Sequence, residues 1–281
     1  MPQASPAKLA WYVHRVSRMS PGEMTWRVRE QALRKAWSRK QVRPGQVAAL
    51  PPPPLAGERR FASTLPAGAA SAVPEAASSA IVADADRIMA GEWEMLGVVR
   101  GDMKEPDWFR DPDTGRRSNP ETYAFRINHR DQAAVGNIKQ VWEVSRLQHL
   151  TLLATAWYLT RDDAYAERVA AQVRSWWAAN PFLSGVNWTS GIELGVRLVN
   201  FAWIRRLLDE WSGAADLFER NDLAVHQIRW HQQYLAAFQS RGSSANNPLI
   251  AEAAGQLAAS CAFPWFTESA RWRRQSAVRL E

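Results

Sequence analysis

A run of helix-forming segments between Gln132 and Arg271 constrains this chain more than any other feature. Apolar residues recur there at helical spacing, parted by short polar or proline-bearing turns, so the spacing predicts consecutive antiparallel helices. One helix is expected over residues 138–160 and a second over 162–180, with Asp162 or Asp163 as its cap. The turn between them is too short for anything but a hairpin. Asn180-Pro181 ends the second helix, because the residue before proline is pushed out of the helical region. A third helix follows over 188–211 and a fourth over 215–239; after the loop RGSSANN come a fifth from Pro248 and a sixth from Thr267. Such hairpins can close as a bundle, a solenoid or an incomplete ring, and the absence of a regular repeat disfavours the solenoid.

The first 131 residues are less regular. Residues 1–40 form an arm of two short helices, the second starting at Ser20-Pro21. Residues 41–92 hold Pro51–Pro54 and an Ala/Ser/Pro-rich segment, a linker with one short helix over 80–94. Residues 93–281 carry the body of the fold, entered through EMLGVVRG as a strand or turn and a polar loop region with a short strand at Tyr123–Ile127.

Lys plus Arg number 35 against 28 Asp plus Glu, a net charge of +7 that suits an anionic partner. Much of the excess sits in Arg-rich ends. Recognisable helix-turn-helix, zinc-finger and RNA-binding strings are missing, which argues against nucleic acid. No apolar run reaches the length of a membrane span or a leader, so neither a membrane partner nor export is expected, and the protein as written is placed in the cytoplasm. A periplasmic protein that has lost its leader would read the same. The single Cys261 rules out an intrachain disulfide and reads as a buried structural thiol. His129 has no second His or Cys at ligand spacing, so no metal is expected. The 15 Trp fit either sugar stacking or core packing.

Chemistry is concentrated in polar residues that apolar helices carry. Glu143 and Arg146 share one helix face, as do Glu193, Arg197 and Asn200 in a helix apolar around most of its girth. An enclosed charged stripe needs partners; it is either a structural network or the lining of an anion cleft. Asn246 and Asn247 precede Pro248 and are either caps or amides aimed into a cleft. A cleft amide can stabilise charge on a uronic acid carboxylate while the neighbouring carbon loses its proton to a Tyr or His base. A hydrolase would instead use two acids. No two acids are convincingly placed for that, with Glu143, Glu193 and Glu252 the remaining candidates. His129, Arg126 and Trp188 complete the candidate ligand contacts.

At WEVSRLQHLTLLATAWYLTRDDAYAERV, SWWAANPFLSGVNWTSGIELGVRLVNFAW and SSANNPLIAEAAG the chain resembles the heparinase II/III-like family of polysaccharide lyases, some of them alginate lyases. The resemblance covers residues 93–281 and implies a mainly α fold, an incomplete α/α toroid of antiparallel helical hairpins behind a loop-rich N-terminal region. In that family a β-sandwich region follows, and acidic polysaccharides are cleaved by β-elimination without a redox cofactor. The resemblance puts the carboxylate-neutralising role on Asn247 or Asn246 and substrate contact on Arg197, Glu193, Glu143 and Arg146. Pro248 stands where the family carries a His. Family members continue past the last helix into segments with a catalytic Tyr and a His. The chain is therefore expected to be the toroid of a longer lyase, weakly active alone, with an acidic polysaccharide and its own C-terminal region as partners. The alternative is a noncatalytic acidic-glycan-binding or scaffold protein.

Overall fold

A computed structural model describes residues 21–47, 50–241 and 246–281, and every structural statement below concerns those residues. The chain divides into two compact units, residues 1–40 and 41–281. In the first, helix α1 (Pro21–Trp37) ends in Arg34 and Lys35, cations that suit the negative end of the helix dipole. The expected earlier helix and the Ser20 cap lie outside the described residues.

In the second unit, α2 (Glu75–Ala90) stops at Gly91, whose left-handed φ of 110° lets its N–H reach the Arg87 and Ile88 carbonyls. The expected helix starts five residues earlier than the sequence pattern placed it. A hairpin of β1 (Trp93–Met95) and β2 (Val98–Arg100) turns through Leu96 and Gly97, both at positive φ, as tight hairpins require. Tyr123–Ile127 is not a strand. Tyr123 makes one isolated bridge to Ser184, and Ala124–Arg126 coil into a single 3₁₀ turn. A one-turn helix, α3 (Gln132–Val135), follows under an Asp131 cap.

The helical body begins with α4 (Ile138–Ser145) and α5 (Gln148–Thr160), then α6 (Asp163–Ala179), α7 (Gly191–Leu207), the short α8 (Ala214–Leu217), α9 (Asp222–Ala237), α10 (Asn247–Ala262) and α11 (Ser269–Leu280). Asp162 caps α6 with its side chain, as the sequence grammar expects; Asn221 caps α9, so the helix expected over 215–239 is split into α8 and α9. Trp157 reaches Asp163 at one end of the α5–α6 pair and His149 reaches Gln172 further along, so the two helices are antiparallel. Arg279 similarly returns to Gln256 across α10 and α11.

The helices on either side of α7 run the same way as α7. Arg146 meets Glu193 and Thr151 meets Asn200, which sets α5 parallel to α7. Gly195 faces both Ala251 and Gly255, and Ala202 and Ala262 share one hollow further along, which sets α10 parallel to α7. Parallel neighbours joined through antiparallel returns make the incomplete α/α toroid of helical hairpins.

The α7–α10 crossing is unusually close. A Cβ on Gly195 would lie 2.7 Å from the Ala251 carbonyl carbon, and one on Gly255 would lie 2.6 Å from the Gly195 carbonyl carbon. Only glycine permits that approach of backbone to backbone. Trp176, Trp177, Trp188, Trp265 and Trp272 are all enclosed in packing, which accounts for much of the tryptophan content.

Candidate functional site

The helix expected over 138–160 is broken. Leu147, fully buried, takes a left-handed φ of 66° and separates α4 from α5. A break inside a packed body frees backbone carbonyls that need donors. The polar stripe of α7 supplies them: Arg197 Nε donates to the Ser145 carbonyl at 2.7 Å, and Asn200 Nδ2 donates to the Arg146 carbonyl at 2.8 Å. Thr151 in turn donates to Asn200 Oδ1. Glu193, the third member, receives the Arg146 side chain at 2.8 and 3.1 Å.

Arg146 is thus clamped from two sides, since Glu143 also accepts from it at 2.7 Å. The Arg146 side chain stays 28% exposed while that of Glu193 is nearly enclosed. The hydrogen bond to Glu193 holds the Arg146 pKa above its ordinary value. Burial, opposed by Arg146 and reinforced by Glu193, pushes the Glu143 carboxyl up.

Arg197 lies beneath that surface. Its guanidinium is fully buried, 4.3 Å over the Trp176 ring, and also donates to His231 Nε2 at 2.9 Å. His231 Nδ1 donates to the Gln227 carbonyl at 2.7 Å, which fixes the neutral tautomer with Nε2 as acceptor. Burial, and then the Arg197 charge, hold His231 well below the usual imidazole range. Burial also lowers Arg197 to about 9, so it remains charged at neutral pH. Trp188 is likewise fully buried, its ring 4.5 Å from that of His231. Neither Arg197 nor Trp188 offers solvent a surface; both support the layer above them.

Asn246 and Asn247 stand at the start of α10 with exposed side chains. Asn246 occupies the cap position, yet its side chain makes no capping hydrogen bond; Ser190, at the start of α7, makes none either. Because α7 and α10 are parallel, these two starts lie at the same end of the toroid, and Glu193 and Arg146 lie there with them. Glu252 pins the segment ahead of the asparagines by accepting from Ser240 N and Oγ at 2.8 and 2.7 Å. Residues 243–245 of the SSANN string, and the glycine before it, lie outside the described residues.

His129 packs 5.3 Å from the Trp142 ring, one residue ahead of Glu143. Burial, and then the Arg130 charge, lower its pKa, so the imidazole is neutral at pH 7. Sequence reasoning missed His231, Asn187 and Trp176 as the cradle of Arg197, though His231 did stand as a polar residue in an otherwise packed helix. Cys261 corrects another expectation: it is exposed, in a hollow between α7 and α10 with Trp203 and Arg206. Among the described residues, no helix is long and apolar enough to cross a membrane, and no three His, Cys, Asp or Glu side chains gather as metal ligands.

Residues 106–281, more than half of the chain, match the family described as heparinase II/III N-terminus. The chain belongs to that family. Its fold is also that of a solved structure, the crystal structure of a heparan sulfate lyase HepC mutant from Pedobacter heparinus. The two superpose with a TM-score of 0.55 at 17% identity, over 89% of this chain and 34% of that one. The chain therefore spans about a third of that lyase's length. No curated protein sequence matches it significantly. The residues that match the heparinase II/III N-terminal family include all the helical hairpins, and Arg146, Glu143, Glu193 and the two asparagines sit at one end of them.

Proposed function

We propose that this chain supplies the toroid part of a lyase that cleaves acidic polysaccharides next to a uronic acid by β-elimination. The observation that carries the reading is that Asn246 and Asn247 are exposed and not spent as helix caps, at the end of the toroid where Arg146 also surfaces. Either amide can donate to the uronate carboxylate. Arg146, already oriented by Glu143 and Glu193, adds a fixed positive group. The start of α10, where the Asn246 side chain makes no cap bond, contributes N–H donors and the positive end of its dipole at the same place, whereas the start of α7 already faces the Glu252 carboxylate beside Gly191.

Charge placed on the carboxylate side would lower the cost of drawing electrons there as the neighbouring proton leaves. The glycosidic oxygen is then expelled and a carbon–carbon double bond forms. That double bond makes the test direct. The protein is incubated with alginate, heparan sulfate, hyaluronan and polyglucuronate while ultraviolet absorbance of the unsaturated uronate product is followed. A rise that Asn247→Ala abolishes and Arg146→Gln reduces supports the lyase reading. Binding of an acidic glycan with no rise, in this chain and in a version extended along its gene, replaces it with the noncatalytic glycan-binding role.

A further inference from the structure

A second hollow of about 330 Å³ opens between the loop residues 118–131, helix α3 and Val186. That is near the lower end of the roughly 300–1,000 Å³ typical of small-ligand sites, room for a single sugar ring. It adjoins the Arg146 face, because Trp142 donates from Nε1 to the Val186 carbonyl at 3.1 Å and packs against His129 on the same side.

Its polar groups are left available in a complementary way. Arg126 is exposed at the rim and makes no ion pair among the described residues, whereas Arg100, Arg117, Arg146, Arg205 and Arg229 each hold a carboxylate. Asp131 lines the same hollow without reaching Arg126; its Oδ1 caps α3 through Ala133 N, leaving Oδ2 as a free acceptor. Asn119 and Asn128 both turn Oδ1 back to their own loops, onto Glu121 N and Arg130 N. Their amide nitrogens therefore remain as donors. Ile127, Val135 and Val186 give the hollow an apolar floor.

We propose that this hollow is a subsite for one uronic acid unit of an acidic glycan chain that continues onto the Arg146 face. The carboxylate pairs with Arg126, ring hydroxyls donate to Asp131 Oδ2, and the Asn119 and Asn128 amides donate to ring or hydroxyl oxygens. Asp131 repels a carboxylate, so it also fixes which end of the sugar faces Arg126. A neutral sugar leaves Arg126 without a partner. The inference rests on the acidic-glycan reading above, and its test separates the two.

The protein and its Arg126→Gln, Asp131→Asn and Arg146→Gln variants are titrated calorimetrically with a polyglucuronate oligosaccharide and with a neutral cello-oligosaccharide of equal length. Asparagine keeps the α3 cap, and Arg126 is at the surface, so thermal melts of both variants should match the parent. Loss of the Arg126 pair should weaken polyglucuronate binding by about tenfold, and Asp131→Asn by several-fold. If the parent binds and Arg146→Gln weakens binding while Arg126→Gln does not, the subsite is refuted and the glycan reading stands. Equal binding of the neutral oligosaccharide also refutes the subsite. If the parent binds no acidic oligosaccharide, the glycan reading fails and takes the subsite with it.

Discussion

Replacing Gly195 with alanine tests whether backbone contact between α7 and α10 positions the candidate site. The added Cβ would sit 2.7 Å from the Ala251 carbonyl carbon and closer still to its oxygen, against 3.4 Å for ordinary contact. The helices must part by at least about 0.7 Å, and neither obstacle is a flexible side chain. Overpacking of this kind costs about 1–3 kcal/mol and more when the backbone itself is in the way. Alanine's better helix propensity returns about 1 kcal/mol. A net loss of about 2 kcal/mol lowers Tm by roughly 4–8 °C in a domain of this size. The assay is a thermal melt followed by circular dichroism, with Gly101→Ala as the control, since nothing lies within 4 Å of a Cβ there. Gly195→Ala melting with the control would refute the claim that this crossing is at contact distance. A further readout is glycan affinity: parting α7 from α10 moves Asn247 relative to Glu193, so affinity should fall in the folded variant.

Other expectations follow from the same network. Arg197→Met should cost about 1–3 kcal/mol for each acceptor left unpaired, because the Ser145 carbonyl and His231 Nε2 lose their donor inside the core; urea unfolding measures it. At Leu147, glycine should be better tolerated than alanine, reversing helix propensity, because alanine keeps the left-handed strain of about 1–2 kcal/mol while losing the same burial. His149 is lowered to about 4 by burial, so it stays neutral in the folded chain while the unfolded one gains a proton below its ordinary value of 6.5. Stability is therefore complete above pH 6.5 and lost as pH falls towards 4, by about 1.4 kcal/mol per pH unit for each such histidine. His231, lowered by burial and Arg197, acts in the same direction, and His149→Gln should flatten part of the slope between pH 6.5 and 5 in denaturant titrations.

The helical hairpins were legible because capping residues and Asn180-Pro181 punctuate them, and the apolar spacing between is strong. The break at Leu147 was not. Apolar periodicity runs through WEVSRLQHLTLLATAW without interruption, and a leucine carries no signal for left-handed backbone. For the same reason the stripe of Glu193, Arg197 and Asn200 could be seen, with Arg146, His231 and Thr151 as its side-chain partners, but not all of what it bonds. Its remaining acceptors are the main-chain carbonyls of Ser145 and Arg146, which every residue possesses and no letter announces. Cys261 and the Tyr123–Ile127 segment were misread for a related cause: local pattern does not say which face a neighbouring helix will leave uncovered.

The break also ties three positions of α7 to one distortion in another helix. In a relative whose chain runs straight through this point, the carbonyls would bond within the helix, and Arg197 and Asn200 would be surplus charge and polarity in a core. Sequences should therefore gain or lose the pair together with the distortion. Covariation between positions 197, 200 and 145–147 is the historical trace that this geometry ought to leave across the family.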